Sequence, residues 1–189
     1  MRTKRSTLAG FCLLSGIVWL GSAIDGLAQA PSDPRPKLRF QYAATFVCGE
    51  NQGALAAAAG VLPGTYATAI NIHNPNSASI ALRKKIALSF PVVEGNIVTG
   101  GQVPGAVSFF QAESLGPDEA LEVDCGQIPS DFTFPPSDPV ISPMITFHKG
   151  FLVIESRESL DVSAVYTATS PASGARSVDV ERIPERRLE

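Results

Sequence analysis

Residues 65–76 have the sequence TYATAINIHNPN, and this stretch indicates the class of fold that the chain adopts. Every second residue from Tyr66 to Ile72 is apolar or β-branched, which is the period-two pattern of a half-buried strand. The strand has to stop at Asn74, because the residue before a proline is pushed out of helical geometry and asparagine tolerates turns. The stretch therefore predicts a strand that ends in an Asn-Pro turn, with His73 at the junction.

The same alternation recurs along most of the chain beyond residue 40. Each segment is short and is bounded by proline, glycine or asparagine, and no segment has the length and period of a stable helix. The predicted strands are 40–48, 66–72, 80–90, 107–111, 121–125, 145–155, 160–168 and 177–183. About seven or eight short strands of this kind predict an all-β protein, an immunoglobulin-like antiparallel β-sandwich, with a small β-barrel as the alternative.

The first thirty residues have a different character. Three basic residues are followed by an uncharged apolar run and then by small residues that end in Ala28-Gln29-Ala30. This is the order of a secretory signal peptide, so we predict that residues 1–30 are removed by cleavage after Ala30. Cleavage after Ala28 and an uncleaved membrane anchor are the alternatives. The expected mature protein is exported to the periplasm or the cell exterior, without stable membrane insertion.

The rest of the chain is long enough for one domain with a sizeable core. We predict an extended lead-in at 31–39, a single β-sandwich domain at 40–183 and a charged, frayed tail at 184–189. Removal of residues 1–30 takes away three basic residues and one acidic residue, which leaves 12 basic and 17 acidic residues and a net charge of −5. This charge argues against nucleic acid as a partner, because such partners require clustered positive charge.

Cys48 and Cys125 are the two cysteines of the predicted mature chain. Each continues the apolar face of its strand, so both sulfur atoms are expected to point into the core. Exported proteins enter an oxidising compartment in which thiols form disulfides. We therefore predict a disulfide between Cys48 and Cys125. Two separate buried thiols are the alternative.

The chain has two histidines, His73 and His148. The alternation of side chains along each predicted strand places both histidines away from the core. With Cys125 and Met144 they would complete the ligand inventory of a cupredoxin-type copper site. The short spacing of a cupredoxin's final ligand loop is missing, however, so we predict no metal and no cofactor. His73 is interpreted as a strand-end residue that bonds to the adjacent turn, and it stays the candidate if the protein binds a small molecule or a metal.

No motif of a known catalytic site is present. The sequence lacks a G-x-S-x-G nucleophile elbow, an H-E-x-x-H motif and a glycine-rich phosphate loop. The paired acidic residues lie in a predicted turn or on an outward face, where solvated charge is the ordinary interpretation. A hydrolase is therefore the least favoured function, and we predict a protein that is not an enzyme.

Two further features bear on binding. Lys84 interrupts an apolar strand face. Either the strand has a bulge there, or Lys84 points inward on an edge strand and prevents pairing with another strand. The functional alternative is a basic spot that binds an acidic partner.

The apolar stretch ALAAAAGVLP, residues 54–63, lies between two strands, where binding loops are common. We predict that its residues contact a partner, or else that they cover the end of the sandwich. The candidate contact residues are Ala54, Leu55, Val61 and Leu62.

Several motifs resemble those of a group of small exported bacterial proteins that are generally left uncharacterised. They are FVCGE, GTYATAINIHNPN, GFLVIES and LDVSAVYTA, followed by SVDVERIPER. The resemblance covers most of the mature chain and implies a compact exported β-domain, and it assigns no catalytic residue. We therefore expect a non-catalytic β-sandwich that binds or supports another protein or a component of the cell envelope.

Overall fold

The computed structural model of the chain describes residues 37–52, 60–94, 97–135 and 147–189. These residues belong to the unit Pro36–Glu189. Several predictions fall outside the described residues. They concern the signal peptide with Ala28 and Ala30, residues 31–36 of the lead-in, the contact residues Ala54 and Leu55, and Met144.

The described part of the chain is built almost entirely of strands, as the period-two pattern predicts. Its elements are β1 (Phe40–Asn51), β2 (Gly64–His73), β3 (Ile80–Glu94), β4 (Ile97–Val107), β5 (Gln111–Leu115), β6 (Ala120–Asp124), the short helix α1 (Gln127–Asp131), β7 (Phe147–Ser156), β8 (Asp161–Thr169), β9 (Arg176–Arg182) and β10 (Arg186–Arg187). Every strand pair among these residues is antiparallel.

The strands form one hydrogen-bonded path in the order β4-β3-β7-β1-β2-β8-β9. Beside this path, β5 pairs with β3, β6 with β2 and β10 with β1. Strands β1 and β2 pair only where Gly49–Asn51 meet Gly64–Tyr66, and beyond this corner they belong to different layers. We call the layer of β1, β3, β4, β5, β7 and β10 sheet I, and the layer of β2, β6, β8 and β9 sheet II. The path is open at β4 and β9, so the fold is a sandwich and not the alternative barrel.

Side chains of both sheets meet in one hydrophobic core, which is the reason that alternate residues of each strand are apolar. Its buried members include Tyr42, Phe46, Ile86, Leu152 and Ile154 from sheet I and Ile70, Ile72, Val123, Val162 and Ala164 from sheet II. Complete burial of one such side chain contributes about 1.5–3 kcal/mol. At one end of the core, the Tyr42 hydroxyl accepts a hydrogen bond from the Leu160 N–H at 2.7 Å.

The structure contains more strands than the predicted seven or eight, and the main addition is β4. Residues 91–104 were expected to form a loop because they contain glycine and proline. Instead β3 and β4 form a long hairpin with a register shift opposite Leu88. Gly105 makes this bulge possible, since a Cβ there would lie 1.9 Å from the Leu88 carbonyl oxygen.

The charged tail is also ordered into the sheet, contrary to the expected fraying. Arg186 and Arg187 pair with Gln41 and Phe40 at the start of β1. The Leu188 N–H adds a hydrogen bond of 2.7 Å to the Arg39 carbonyl. Backbone pairing therefore ties the last residues of the chain to the first described strand.

Lys84 points inward, but neither a bulge nor an edge position explains it. Strand β3 has partners on both sides, and its register with β5 and β7 is regular, so Lys84 is neither on an edge nor at a bulge. Its side chain is buried on the core face, where Nζ donates to Glu113 Oε1 at 2.8 Å. A buried charge needs a partner of this kind, and Glu113 on β5 supplies it.

Candidate functional site

His73 lies at the end of β2 between two carboxylates. Its Nε2 is 3.0 Å from Asp118 Oδ1, and its Nδ1 is 3.6 Å from Asp161 Oδ2. Asp118 belongs to the turn between β5 and β6, where it has a left-handed φ of 59° that aspartate tolerates better than most residues. Asp161 is the cross-strand neighbour of His73 on β8. The ring therefore bonds to the turn between β5 and β6, and not to the adjacent Asn-Pro turn as interpreted from the sequence.

The two carboxylates also set the protonation of His73. The hydrogen bond to Asp118 is the largest influence and raises the pKa of His73, and the bond to Asp161 adds to it against the opposing effect of burial. The resulting pKa lies above the ordinary value of 6.5. Both ring nitrogens face a carboxylate, which suits a protonated ring because each nitrogen is then a donor.

The surface beside His73 is a shallow depression. It has a volume of about 330 Å³ and is lined by Asn71, His73, Asp161, Val162, Ser163 and Arg182. Arg182 reaches toward Asp161 Oδ1 at 3.7 Å, so this carboxylate has two cationic neighbours when His73 is protonated. The ion pairs of Asp161 with His73 and Arg182 link β2, β8 and β9 at this end of sheet II.

The candidate copper ligands His73, His148 and Cys125 do not lie together in the structure. Cys125 is joined to Cys48 by a disulfide with a Cα–Cα distance of 5.5 Å, as the parity argument predicts, and it offers no thiolate. His148 is opposite Cys48 on the core side of β7, contrary to the outward orientation expected for it, while His73 is at the other end of β2. Among the described residues, no group of three or more histidine, cysteine or acidic side chains is arranged to hold a metal ion.

Asn74 organises this end of the molecule in a way that the sequence did not reveal. Its side chain is fully buried, and Nδ2 donates to the carbonyl oxygens of Ala78 and Gly116 at 2.9 and 2.8 Å. Its backbone also bonds both ways to the turn at 116–119, through Glu119 and Asp118. The Asn-Pro signal marked a turn, but the role of Asn74 in placing Asp118 near His73 depends on contacts across 40 residues.

The described part of the predicted contact loop is held rigidly. Asn51 Nδ2 donates to the carbonyl oxygens of Val61 and Leu62 at 2.8 and 3.1 Å, and the Tyr66 hydroxyl donates to Leu62 at 2.6 Å. This leaves the Leu62 side chain 80% exposed, whereas Val61 is half-buried. Leu62 is therefore presented to solvent, and its role as a contact residue stays a prediction.

A larger apolar surface lies on the outer side of sheet I. Phe151 on β7 and Val107 on β4 flank Ala87 of β3 in one cross-strand row, and their side chains are 46% and 41% exposed. Val153 and Lys85 form the next row and are partly exposed. Leu152 and Ile154 face the core, so Phe151 between them points outward, and the sequence shows neither this orientation nor that Val107 joins it.

Positive charge surrounds this apolar surface. The ring of Phe110 has the Arg83 guanidinium 4.0 Å and the Lys85 ammonium 4.5 Å from its centroid. Arg83 is also bonded to Glu155 Oε2, at 2.6 Å from its Nη2 atom. Among the described residues, no carboxylate pairs with Lys85. We call the surface formed by Val107, Phe110, Phe151, Val153 and Lys85 the Phe151 face.

Hydrogen bonds fix the neighbouring side chains of the Phe151 face. Gln41 Nε2 donates to Glu155 Oε1 at 2.9 Å, and Arg186 donates to the Gln41 amide oxygen. The chain of contacts from Arg83 through Glu155 and Gln41 to Arg186 crosses four strands. It neutralises one carboxylate and leaves the face with an excess of positive charge.

Comparison of the chain with protein-family models, with curated proteins and with solved structures finds no match. No helix among the described residues has the length and apolar character needed to cross a membrane. The geometry of the molecule itself therefore carries the functional argument.

Proposed function

We propose that this protein is an exported, non-catalytic binding module that holds an acidic protein surface of the periplasm or cell exterior on its Phe151 face. The observation that carries the proposal is the exposed row of Phe151 and Val107 beside the cations of Arg83 and Lys85. Contiguous apolar surface rimmed by charge is typical of protein interfaces. Aromatic residues and arginine are also the residue types that contribute most to such interfaces.

Charge selects the class of partner. Lys85 and Arg83 share the ring of Phe110, and a carboxylate on a partner would meet both cations at once. The chain as a whole is acidic, with a net charge of −3, so this positive patch is a local departure from its general character. An acidic partner is therefore attracted to this face and repelled from most other surfaces.

Export is supported by two observations. The first thirty residues have the basic, apolar and small-residue order of a signal peptide. The disulfide between Cys48 and Cys125 is a bond of oxidising compartments.

Two features argue against the alternatives. A metal module at His73 would need a free ring nitrogen, and both nitrogens face carboxylates. A hydrolase would need a base next to a nucleophile, and His73 is engaged by acids instead. The loop at Leu62 stays a second candidate for the contact, because its side chain is held out into solvent.

The proposal is tested by isolating the tagged protein from its native envelope after mild chemical cross-linking. Phe151→Ser and Lys85→Glu should each remove the same co-isolated protein at unchanged thermal stability. Leu62→Ser and Arg157→Glu are the matched controls, since they make the same changes at other exposed positions, and both should retain it. Loss with Leu62→Ser alone would transfer the contact to the loop, and retention by all four variants would contradict the proposal. The isolated protein should begin near residue 31, whereas an intact Met1 would contradict cleavage of a signal peptide.

A further inference from the structure

Strand β9 forms an open edge of sheet II. It pairs with β8 along its whole length, and no strand of the described residues pairs with its other side. All seven of its residues are exposed. Its register with β8 has no shift, so the edge is straight and lacks a bulge, and its sequence RSVDVER contains no proline. Bulges and prolines usually protect an edge from pairing, so the charged side chains of β9 are the protection that remains.

The hydrogen bonds between β8 and β9 show which backbone groups face the open edge. The Ile183 N–H donates to Val162, and the Ser170 N–H donates to Ala175. In an antiparallel ladder the bonded pairs alternate, so odd-numbered residues of β9 bond to β8. The N–H and C=O groups of even-numbered residues therefore point outward, and among them are those of Val178 and Val180.

The side chain of Asp179 caps one outward backbone N–H group of this edge. Its Oδ1 accepts a hydrogen bond of 3.0 Å from the Val180 N–H, which agrees with the outward direction of that group. The bond lies at the surface and joins adjacent residues, so a carbonyl of an incoming strand can replace it at little cost. The corresponding side-chain cap is not seen on Val178.

The side chains of β9 present a different chemistry on each of its two sides. Val178 and Val180 are 68% and 64% exposed and continue the outer surface of sheet II through Thr167 and Val165. Asp179 and Glu181 lie on the other side, where the Glu181 carboxylate accepts the Tyr166 hydroxyl at 2.9 Å. Burial and these two carboxylates raise the pKa of Tyr166 to about 12, as expected beside concentrated negative charge.

A second copy of this chain is a poor occupant of the edge. Full antiparallel overlap of two β9 strands puts Asp179 opposite itself and Arg176 opposite Arg182. Like charges directly opposite each other destabilise a strand pair. A strand of a different protein avoids this conflict.

We propose that β9 binds an extended segment of another protein as an added β-strand, in which apolar side chains alternate with lysine or arginine. The apolar side chains of the segment cover Val178 and Val180, and its basic side chains pair with Asp179 and Glu181. Its backbone bonds to the outward groups of β9, which is the usual mode of strand addition. This site is separate from the Phe151 face, which is on sheet I and selects the opposite charge.

The test uses the purified full chain and a synthetic peptide in which valine and lysine alternate over seven residues. Nuclear magnetic resonance should show that the Val178 and Val180 amides shift on binding and exchange with solvent at least tenfold more slowly. A peptide with glutamate in place of lysine, and one with N-methyl groups on its strand-pairing amides, should each bind at least tenfold more weakly. The protein variant Val178→Pro, which removes one outward N–H, should lose binding as well.

Three outcomes with the peptide would overturn the proposal, and one without it would do so as well. They are the absence of any shift at millimolar peptide, equal binding of the N-methylated peptide, and shifts confined to residues outside β9. Protection of the same amides that grows with protein concentration alone would assign the edge to a second copy and would also overturn it. The peptide variants keep the test decisive if Val178→Pro does not fold. Loss of binding at the Phe151 face would leave all these results unchanged.

Discussion

Thr68 shows how a single hydroxyl connects the two layers. At the corner where β1 and β2 stop pairing, its Oγ1 accepts a hydrogen bond from the Val47 N–H and donates one to the Val47 carbonyl, both at 3.0 Å. The Thr68 side chain is buried and Val47 is partly buried, so loss of the hydroxyl leaves both backbone groups without this partner. Thr68 therefore takes the place of a strand partner at the position where β1 and β2 separate.

Replacement of this hydroxyl should destabilise the fold. Thr68→Val keeps the shape of the side chain and leaves both polar groups of Val47 unpaired, which should lower the free energy of unfolding by about 1–3 kcal/mol. Thr167→Val is the matched control, because its hydroxyl bonds to Ala67 at an exposed position and its loss should cost about 0.5 kcal/mol or less. Urea unfolding of both variants measures the difference, and equal losses would contradict the role assigned to Thr68.

His73 should titrate above its ordinary pKa of 6.5, because its hydrogen bond to Asp118 and its ion pair with Asp161 favour the protonated ring. A proton NMR titration measures this pKa directly. Asp118→Asn should lower it more than Asp161→Asn does, since the Asp118 bond is the larger influence. An unshifted pKa, or the reverse order of the two variants, would contradict the geometry at the end of β2.

The raised pKa also sets the sign of a stability change with pH. Below 6.5 the ring is protonated in the folded and the unfolded chain, and its pairing with the carboxylates stabilises the fold fully. This contribution is lost as the pH rises through the folded pKa. His73→Gln should therefore be more destabilising at about pH 6 than at about pH 8.5, as measured by urea unfolding at both values.

At the scale of the strands, the pair of Lys84 and Glu113 links β3 to β5. Lys84 is buried and Glu113 is partly exposed. Glu113→Gln leaves a buried ammonium group without its carboxylate and should lower the free energy of unfolding by about 1–3 kcal/mol. Lys84→Met fills the same space with an apolar side chain and should be nearly neutral or stabilising. An equal loss for both variants in denaturant unfolding would show that the carboxylate is not the reason for the position of Lys84.

The strands that the sequence predicts well are those with unbroken alternation. The pattern from Tyr66 to Ile72 is such a case, because every second side chain faces one continuous core. Strand β4 was missed because its sequence contains three glycines and a proline, which are typical of a loop, and the glycine at 105 serves a bulge. Strand β10 has two residues, which is too short for any period to be visible.

The candidate surfaces were less predictable for a related reason. The alternation of side chains directs Cys48 and Cys125 inward, which agrees with the disulfide, but it placed His148 outward, whereas the register of β7 puts it on the core side. The side chains that lie beside a given residue depend on which strands are neighbours in the sheet. Strand β7 lies between β1 and β3 although it is distant from both in the chain. Local pattern carries no information on such pairing, so the row of Phe151 and Val107 required the structure.

Across the whole molecule, charge is distributed differently on the two outer faces. The outer side of sheet I carries Arg83 and Lys85, whereas the outer side of sheet II carries Glu122 and Asp124 on β6 together with Arg176 and Arg182 on β9. The disulfide links the two sheets and closes a sequence separation of 77 residues, which stabilises the fold by about 4 kcal/mol in the chain-entropy model.

The central claim is that the Phe151 face binds an acidic protein partner, and site-specific photo-cross-linking in the native envelope tests it most directly. A photoreactive residue at position 151 should give one discrete heterologous adduct, which Lys85→Glu removes and Arg157→Glu leaves in place. The same photoreactive residue at position 167, on the outer side of sheet II, should not give that adduct. Mass spectrometry should map the adduct to an acidic segment of the partner. Identical adducts from both positions, or an adduct at position 151 that survives Lys85→Glu, would contradict the claim.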